Sequence, residues 1–193
     1  MSRLLLTLVT ALAMAATAAA QAGNWQIDPF HSTAQFAVRH LAVSTVRGAF
    51  TKVTGSAKYD PADPTKTSLD ATIDAASVDT RVEMRDNDLR SPNFLDVQKY
   101  PTITFHSKQV KASGSGKLQI TGDLTLHGVT KEVVLDVDGP TAAINDPMGN
   151  QRIGASATTK LSRKEFGVNG GAAVAGDELS ITIDVELIQP KAK

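Results

Sequence analysis

The sequence predicts an all-β fold, about eight antiparallel strands in a barrel or sandwich, interrupted by a single short helix. Three observations carry this. Apolar and polar residues alternate along most of the chain after Gly23, the period of strands with one buried face. Short turn-forming clusters separate the runs, among them Asp60-Pro61, Gly114-Ser115-Gly116 and Asp146-Pro147-Met148-Gly149. The strand–helix alternation that builds parallel sheets is missing, and only the region around residues 80–90 departs from period two.

Taken in order, the first inward row is Ala34, Phe36, Val38 and His40, and the second is Val46, Gly48 and Phe50. The phase then slips to Val53, Ala57 and Tyr59, which predicts a bulge near Thr51 and Lys52. Leu69, Ala71 and Ile73 follow, then Ile103 and Phe105. Leu118, Ile120, Leu124 and Leu126 make a clean row, as do Val129, Val133, Leu135 and Val137. A weaker row of Ile153, Ala155, Ala157 and Leu161 precedes a strong last one from Leu179 through Ile181, Ile183 and Val185 to Leu187.

The exception lies inside residues 78–107. Thr80-Arg81-Val82-Glu83 fits a capping box, Val82 and Leu89 fall on one face two turns apart, and Ser91-Pro92 stops the run. These signals predict a helix over residues 81–90, an irregular crossing to Tyr100 and a strand from Thr102. The face with Val82 and Leu89 also carries Arg85 and Asp86. Such a polar pair needs partners, so it is expected to bond to itself or to the barrel rim and hold the helix down. Asp88 is expected to be a solvated surface charge.

Residues 1–20 have a basic start at Arg3, an apolar run and a small-residue end at Ala18-Ala19-Ala20, the pattern of a cleaved secretory signal. The remainder, 21–193, is the size of one domain, with no composition break and no second long apolar run. Lys+Arg and Asp+Glu number 20 each, so nothing favours nucleic acid or an integral membrane span as a partner of the mature chain. With no cysteine, disulfides and thiolate metal sites are excluded. A disulfide-free exported domain suits a periplasmic location.

The chain resembles the YceI-like family of exported bacterial proteins. The segments that carry the resemblance are Trp25-Gln-Ile-Asp28 with His31-Ser32, Phe36-Ala-Val-Arg-His40, Val46-Arg-Gly-Ala-Phe50 and Ser77-Val-Asp-Thr80. They continue with Arg85-Asp86, Leu89-Arg-Ser91, Phe94-Leu-Asp96, Lys99-Tyr-Pro101, the run from Gly122 to Lys131, residues 163–167 and a closing strand around Ile181 to Glu186. The resemblance implies a lipocalin-like barrel around an apolar cavity that holds a polyisoprenoid or similar amphiphilic lipid, and homodimerisation is a further implication. The family usually has a histidine where this chain has Asp88, so no histidine acts at that position here.

On this reading the tail contacts are expected from the inward residues Phe36, Val38, Phe50, Ile73, Phe105, Leu124, Leu135 and Ile183. Leu89 and Phe94 border the entrance, because a segment crossing an open barrel end controls entry. Inward Ala34, Gly48, Ala71, Ala155 and Ala157 leave volume unfilled, which suits a hydrocarbon chain. His31 or His40 is a candidate to bond a polar head, against the plainer reading of satisfied structural histidines. No cofactor and no metal is expected, since His31, His40, His106 and His127 have no ligand spacing. Nor is there a G-x-S-x-G nucleophile, and Asp86 and Asp88 lie two apart on a helix, on different faces. A non-catalytic carrier is therefore expected, the rivals being an enzyme acting on such a lipid and an interaction module with a filled barrel.

Overall fold

The computed structural model describes residues 23–189, so the signal-peptide reading of residues 1–20 lies outside the described residues. The strands are β1 (Gly23–Ile27), β2 (Thr33–His40), β3 (Ser44–Phe50), β4 (Val53–Tyr59), β5 (Ser68–Asp74) and β6 (Val78–Asp79). The helix α1 (Glu83–Arg90) follows, then β7 (Thr102–Gly114), β8 (Lys117–Leu126), β9 (Val129–Asp138), β10 (Ile144–Asn145), β11 (Gln151–Ser162) and β12 (Ala175–Gln189).

All pairings are antiparallel. The sheet closes because β12 pairs with β11 along one edge and with β2, then β1, along the other. Four pairs of strands act as bent single staves, β1 with β2, β3 with β4, β5 with β6, and β9 with β10, which both pair with β11. The ring then has the eight staves that the alternation predicts, a size that leaves room for one small ligand. Its weakest seam joins β9 to β11 through three residue pairs, Asp136–Asp138 against Ser156–Thr158. Beyond that seam Val133 and Leu161 form the wall between the interior and an outer cleft.

The phase slip at Thr51 and Lys52 is not a bulge. β3 ends at Phe50 and β4 begins at Val53 with new partners, so the chain turns a corner: β3 pairs with β2 and β6, β4 with β1 and β5. A bulge and a corner both shift the alternation by one residue, and only long-range pairing separates them.

One end of the barrel is sealed by Trp25, at 0% exposure, packed with Ile27, Ala34, Val53, Ala57, Tyr59, Ile153 and Leu187. Outside this end, Arg152 ties three segments together. Its Nη1 donates to Asp28 Oδ2 (2.7 Å) and to Glu186, and its Nε donates to Asp146 Oδ2 (2.9 Å). Burial acts to raise the Asp28 carboxyl, but hydrogen bonds from Arg152, His31 and the Phe30 amide outweigh it and hold the pKa at about 2.

A depressed carboxylate stabilises the fold above its unfolded pKa of about 3.9 and loses that contribution as pH falls through its folded value. The Asp28→Asn variant should therefore melt below the wild type at neutral pH. The gap should close between about pH 4 and pH 2, which melting curves across that window would read out; a gap independent of pH would assign it to packing.

Candidate ligand-binding cavity

The barrel encloses a cavity of about 480 Å³, within the range of small-molecule sites. It is not filled, which removes the reading of a packed-barrel interaction module. Its walls are the inward rows. Phe36, Val38, His40, Phe50, Ile73, Phe105, Leu124, Leu135 and Ile183 line it, as the strand phases require, and Leu89 and Phe94 line it from the helix and the crossing segment. Ala71, Ala155 and Ala157 line it too, and their short side chains leave the central volume open. The charged and imidazole lining is concentrated at one end, where Arg39, His40, Arg85, Asp88 and Arg163 stand with exposed Gly171 and Val174; there the cavity meets solvent.

The helix and its crossing segment cover part of that end. α1 begins at Glu83, two residues later than the capping box predicts, and its first residue is preceded by Val82 with no side-chain cap. The Thr80 hydroxyl serves another purpose: it donates to Asp86 Oδ1 (2.5 Å) and accepts from Arg85 Nε (2.7 Å). The Thr80 amide also donates to Asp86 Oδ1 (2.9 Å), and Arg85 Nη2 donates to the Thr80 carbonyl (3.0 Å). Arg85 and Asp86 are thus joined through Thr80 rather than to each other. Asp86 is buried behind the helix and outside the cavity, and its charge sits in the first helical turn, where the exposed amides favour it.

One other expectation fails on this helix and one is incomplete. Val82 is 42% exposed and packs nothing down; a chain reversal through Arg81 (φ 66°) turns it outward, with the Arg81 amide held by Asp79. Asp88 is exposed but also lines the entrance, because Arg85, Asp88 and Leu89 fall at i, i+3 and i+4 on one helical face. It accepts from Asn93 Nδ2 (3.1 Å) and so fastens the helix to the crossing segment. Arg90, which sequence reasoning passed over, anchors the other end of the helix through Nε to Ala76 O (2.8 Å) and Nη2 to Val78 O (2.6 Å).

Past the helix, Leu95 and Val97 pack with Ala75, Ile103, Leu126 and Phe166, while Phe94 stays in the cavity wall. Phe94 rests on Gly170 and Gly171. A Cβ on Gly170 would lie 2.2 Å from Asn93 O and 2.8 Å from the Phe94 ring, so glycine is required for this contact. The loop carrying these glycines is held by Arg163, the second residue missed from sequence. Only 4% exposed, it donates to the carbonyl oxygens of Val168, Gly170, Ala175 and Gly176 at 2.6–3.0 Å. The available signal was a lone arginine ending an apolar row just before a glycine-rich loop.

The histidines separate cleanly. His40 lines the entrance, whereas His31 sits on the outer wall with Nδ1 2.9 Å from Asp28 Oδ2, and cannot reach a ligand head inside. Ligand atoms of Asp28, His31 and Glu186 come within 4.8 Å of one another, yet Arg152 Nη1 already bonds both carboxylates and supplies the positive charge there. His106 pairs with Asp70 on the exposed face, and His127 packs its ring at a tilt against Tyr100 from a turn at φ 52°.

The barrel geometry agrees with known proteins. Protein YceI of Escherichia coli O157:H7 is 37% identical over 193 residues, covering 99% of this chain and 100% of its own. The crystal structure of Burkholderia cenocepacia BcnA superposes with a TM-score of 0.72 at 25% identity, covering 83% of this chain and 98% of that one. A polyisoprenoid-binding domain from Saccharophagus degradans shares the fold at a TM-score of 0.62 and 15% identity, covering 86% and 98%. The model of the YceI-like domain matches residues 25–187, nearly every described residue, and the chain belongs to the YceI-like family.

Proposed function

We propose that this protein is a non-catalytic carrier that holds one amphiphilic, isoprenoid-like lipid in its barrel, in the periplasm to which an N-terminal signal would deliver it. The observation that carries this reading is a cavity of about 480 Å³ with mostly aliphatic and aromatic walls, whose charged groups gather at one entrance. A tail inside gains roughly 0.8 kcal/mol per buried methylene, enough for tight binding without a charged contact. A polar head is then left at Arg85, His40 and Asp88. The shared fold of the Saccharophagus degradans polyisoprenoid-binding domain supports the ligand class. Asp86, the buried acid of the helix, is engaged by Thr80 outside the cavity, which favours carriage over chemistry.

Native mass spectrometry of protein purified from cells should show a bound lipid that organic extraction releases. Protein that is uniformly ligand-free, and that takes up no polyprenyl compound on titration, would overturn the proposal.

A further inference from the structure

Beside the entrance, the β2–β3 hairpin ends in a tip that a water-exposed turn does not call for. The Val43 amide donates to His40 O (3.0 Å), and Leu41 (φ 50°) and Ala42 (φ 58°) occupy the two left-handed positions of the turn. Turns of this kind favour Asn-Gly, because a Cβ is strained there. Here the strained positions hold Leu and Ala instead, and Leu41 and Val43 are 55% and 79% exposed. The Leu41 amide donates to Val174 O (2.7 Å), which joins the tip to another exposed apolar residue of the cavity rim.

The hairpin itself carries charge of one sign. From Pro29 to Tyr59 the chain has no Asp or Glu, and of the four cations within it Arg39 and Arg47 lie on this hairpin, whereas Lys52, past the far end of β3, pairs with Asp74. Arg39 pairs across from Thr45 and Arg47 from Ala37, so both arginines hold outward positions on the hairpin as diagonal neighbours, Arg39 at the cavity rim and Arg47 clear of it. Arg39 braces the tip through Ala42 O (2.5 Å) and Thr45 Oγ1 (2.9 Å), and Arg47 is exposed with no carboxylate partner among the described residues. On the adjoining β12, Glu178 is paired with Lys160, while Asp177 accepts from the Lys164 amide and Ser162, which hold it in its anionic form.

We infer that this hairpin tip docks on the surface of an anionic phospholipid bilayer, Leu41 and Val43 entering the headgroup boundary and the arginines meeting lipid phosphates. The docking itself does not depend on the carrier reading. If that reading also holds, docking sets the cavity entrance against the membrane, where a lipid enters or leaves without crossing water.

Flotation with vesicles of phosphatidylcholine, with and without roughly 30 mol % phosphatidylglycerol, tests it. The wild type should float with the anionic vesicles and much less with the neutral ones. The double variant L41S/V43S should lose binding more than tenfold, and R47Q roughly fivefold, with melting temperatures held. A cavity-blocked Ala155→Trp variant should float like the wild type, so a failed carrier and a failed dock give different results. Vesicle binding that is absent, or indifferent to L41S/V43S, overturns the inference. So does sedimentation velocity showing a wild-type dimer that L41S/V43S converts to monomer, because the tip would then belong to a second copy.

Discussion

Ala155→Trp should weaken lipid binding by about a thousandfold while leaving the fold intact. Ala155 lies midway along β11, opposite Val185, and faces the cavity between Ile153 and Ala157. Ala155 packs against the cluster of Phe105, Leu135 and Val137 on one side and lines the cavity on the other, so an indole directed into the cavity should meet only part of the usual overpacking penalty of about 1–3 kcal/mol. It bars the tail from part of the barrel. Excluding five methylenes costs roughly 4 kcal/mol, close to three orders of magnitude in affinity. Calorimetric titration with a polyprenyl compound, alongside a melting curve, measures both quantities. Unchanged affinity would place the tail outside this cavity.

The variant could be chosen from sequence because alternation is a strong constraint. In a strand each side chain must take one face or the other, and a slip of one residue would expose a whole apolar row. That is why Phe36, Val38, Phe105, Leu124, Leu135 and Ile183 could be placed inward without knowing which strands pair. Contacts decided by distant segments were not legible in the same way. Thr80 satisfies the local rule for a capping box, yet it spends its hydroxyl on Asp86 and Arg85 because the chain reverses at Arg81. Likewise, the aspartate that holds His31 to the outer wall is itself held by Arg152, more than a hundred residues further along the chain. Arg163 was the least visible, since its partners are carbonyl oxygens, which every loop possesses.

Arg163→Met should therefore have the largest effect on stability. The guanidinium is buried, has no ion-pair partner among the described residues, and is satisfied by four carbonyl oxygens spread over residues 168–176. Removing it strands those acceptors, and loss of a buried charged hub of this kind costs about 3–5 kcal/mol. For a domain of this size each kcal/mol moves the melting temperature by about 2–4 °C, so a fall of about 10 °C is expected. Arg163→Lys should recover less than half of it, because an ammonium offers three donors from one point where the fan of carbonyls matches a planar fork. The damage should begin locally. Limited proteolysis should cut the loop between Phe166 and Val174 first, since Gly170 and Gly171 lose their anchor there and Phe94 loses its seat. Lipid release should accelerate in step, because the loop and the Phe94 segment close the same entrance. If Arg163→Met instead melts with the wild type, water satisfies the carbonyls and the loop is braced by its packing on Phe94 rather than by the arginine.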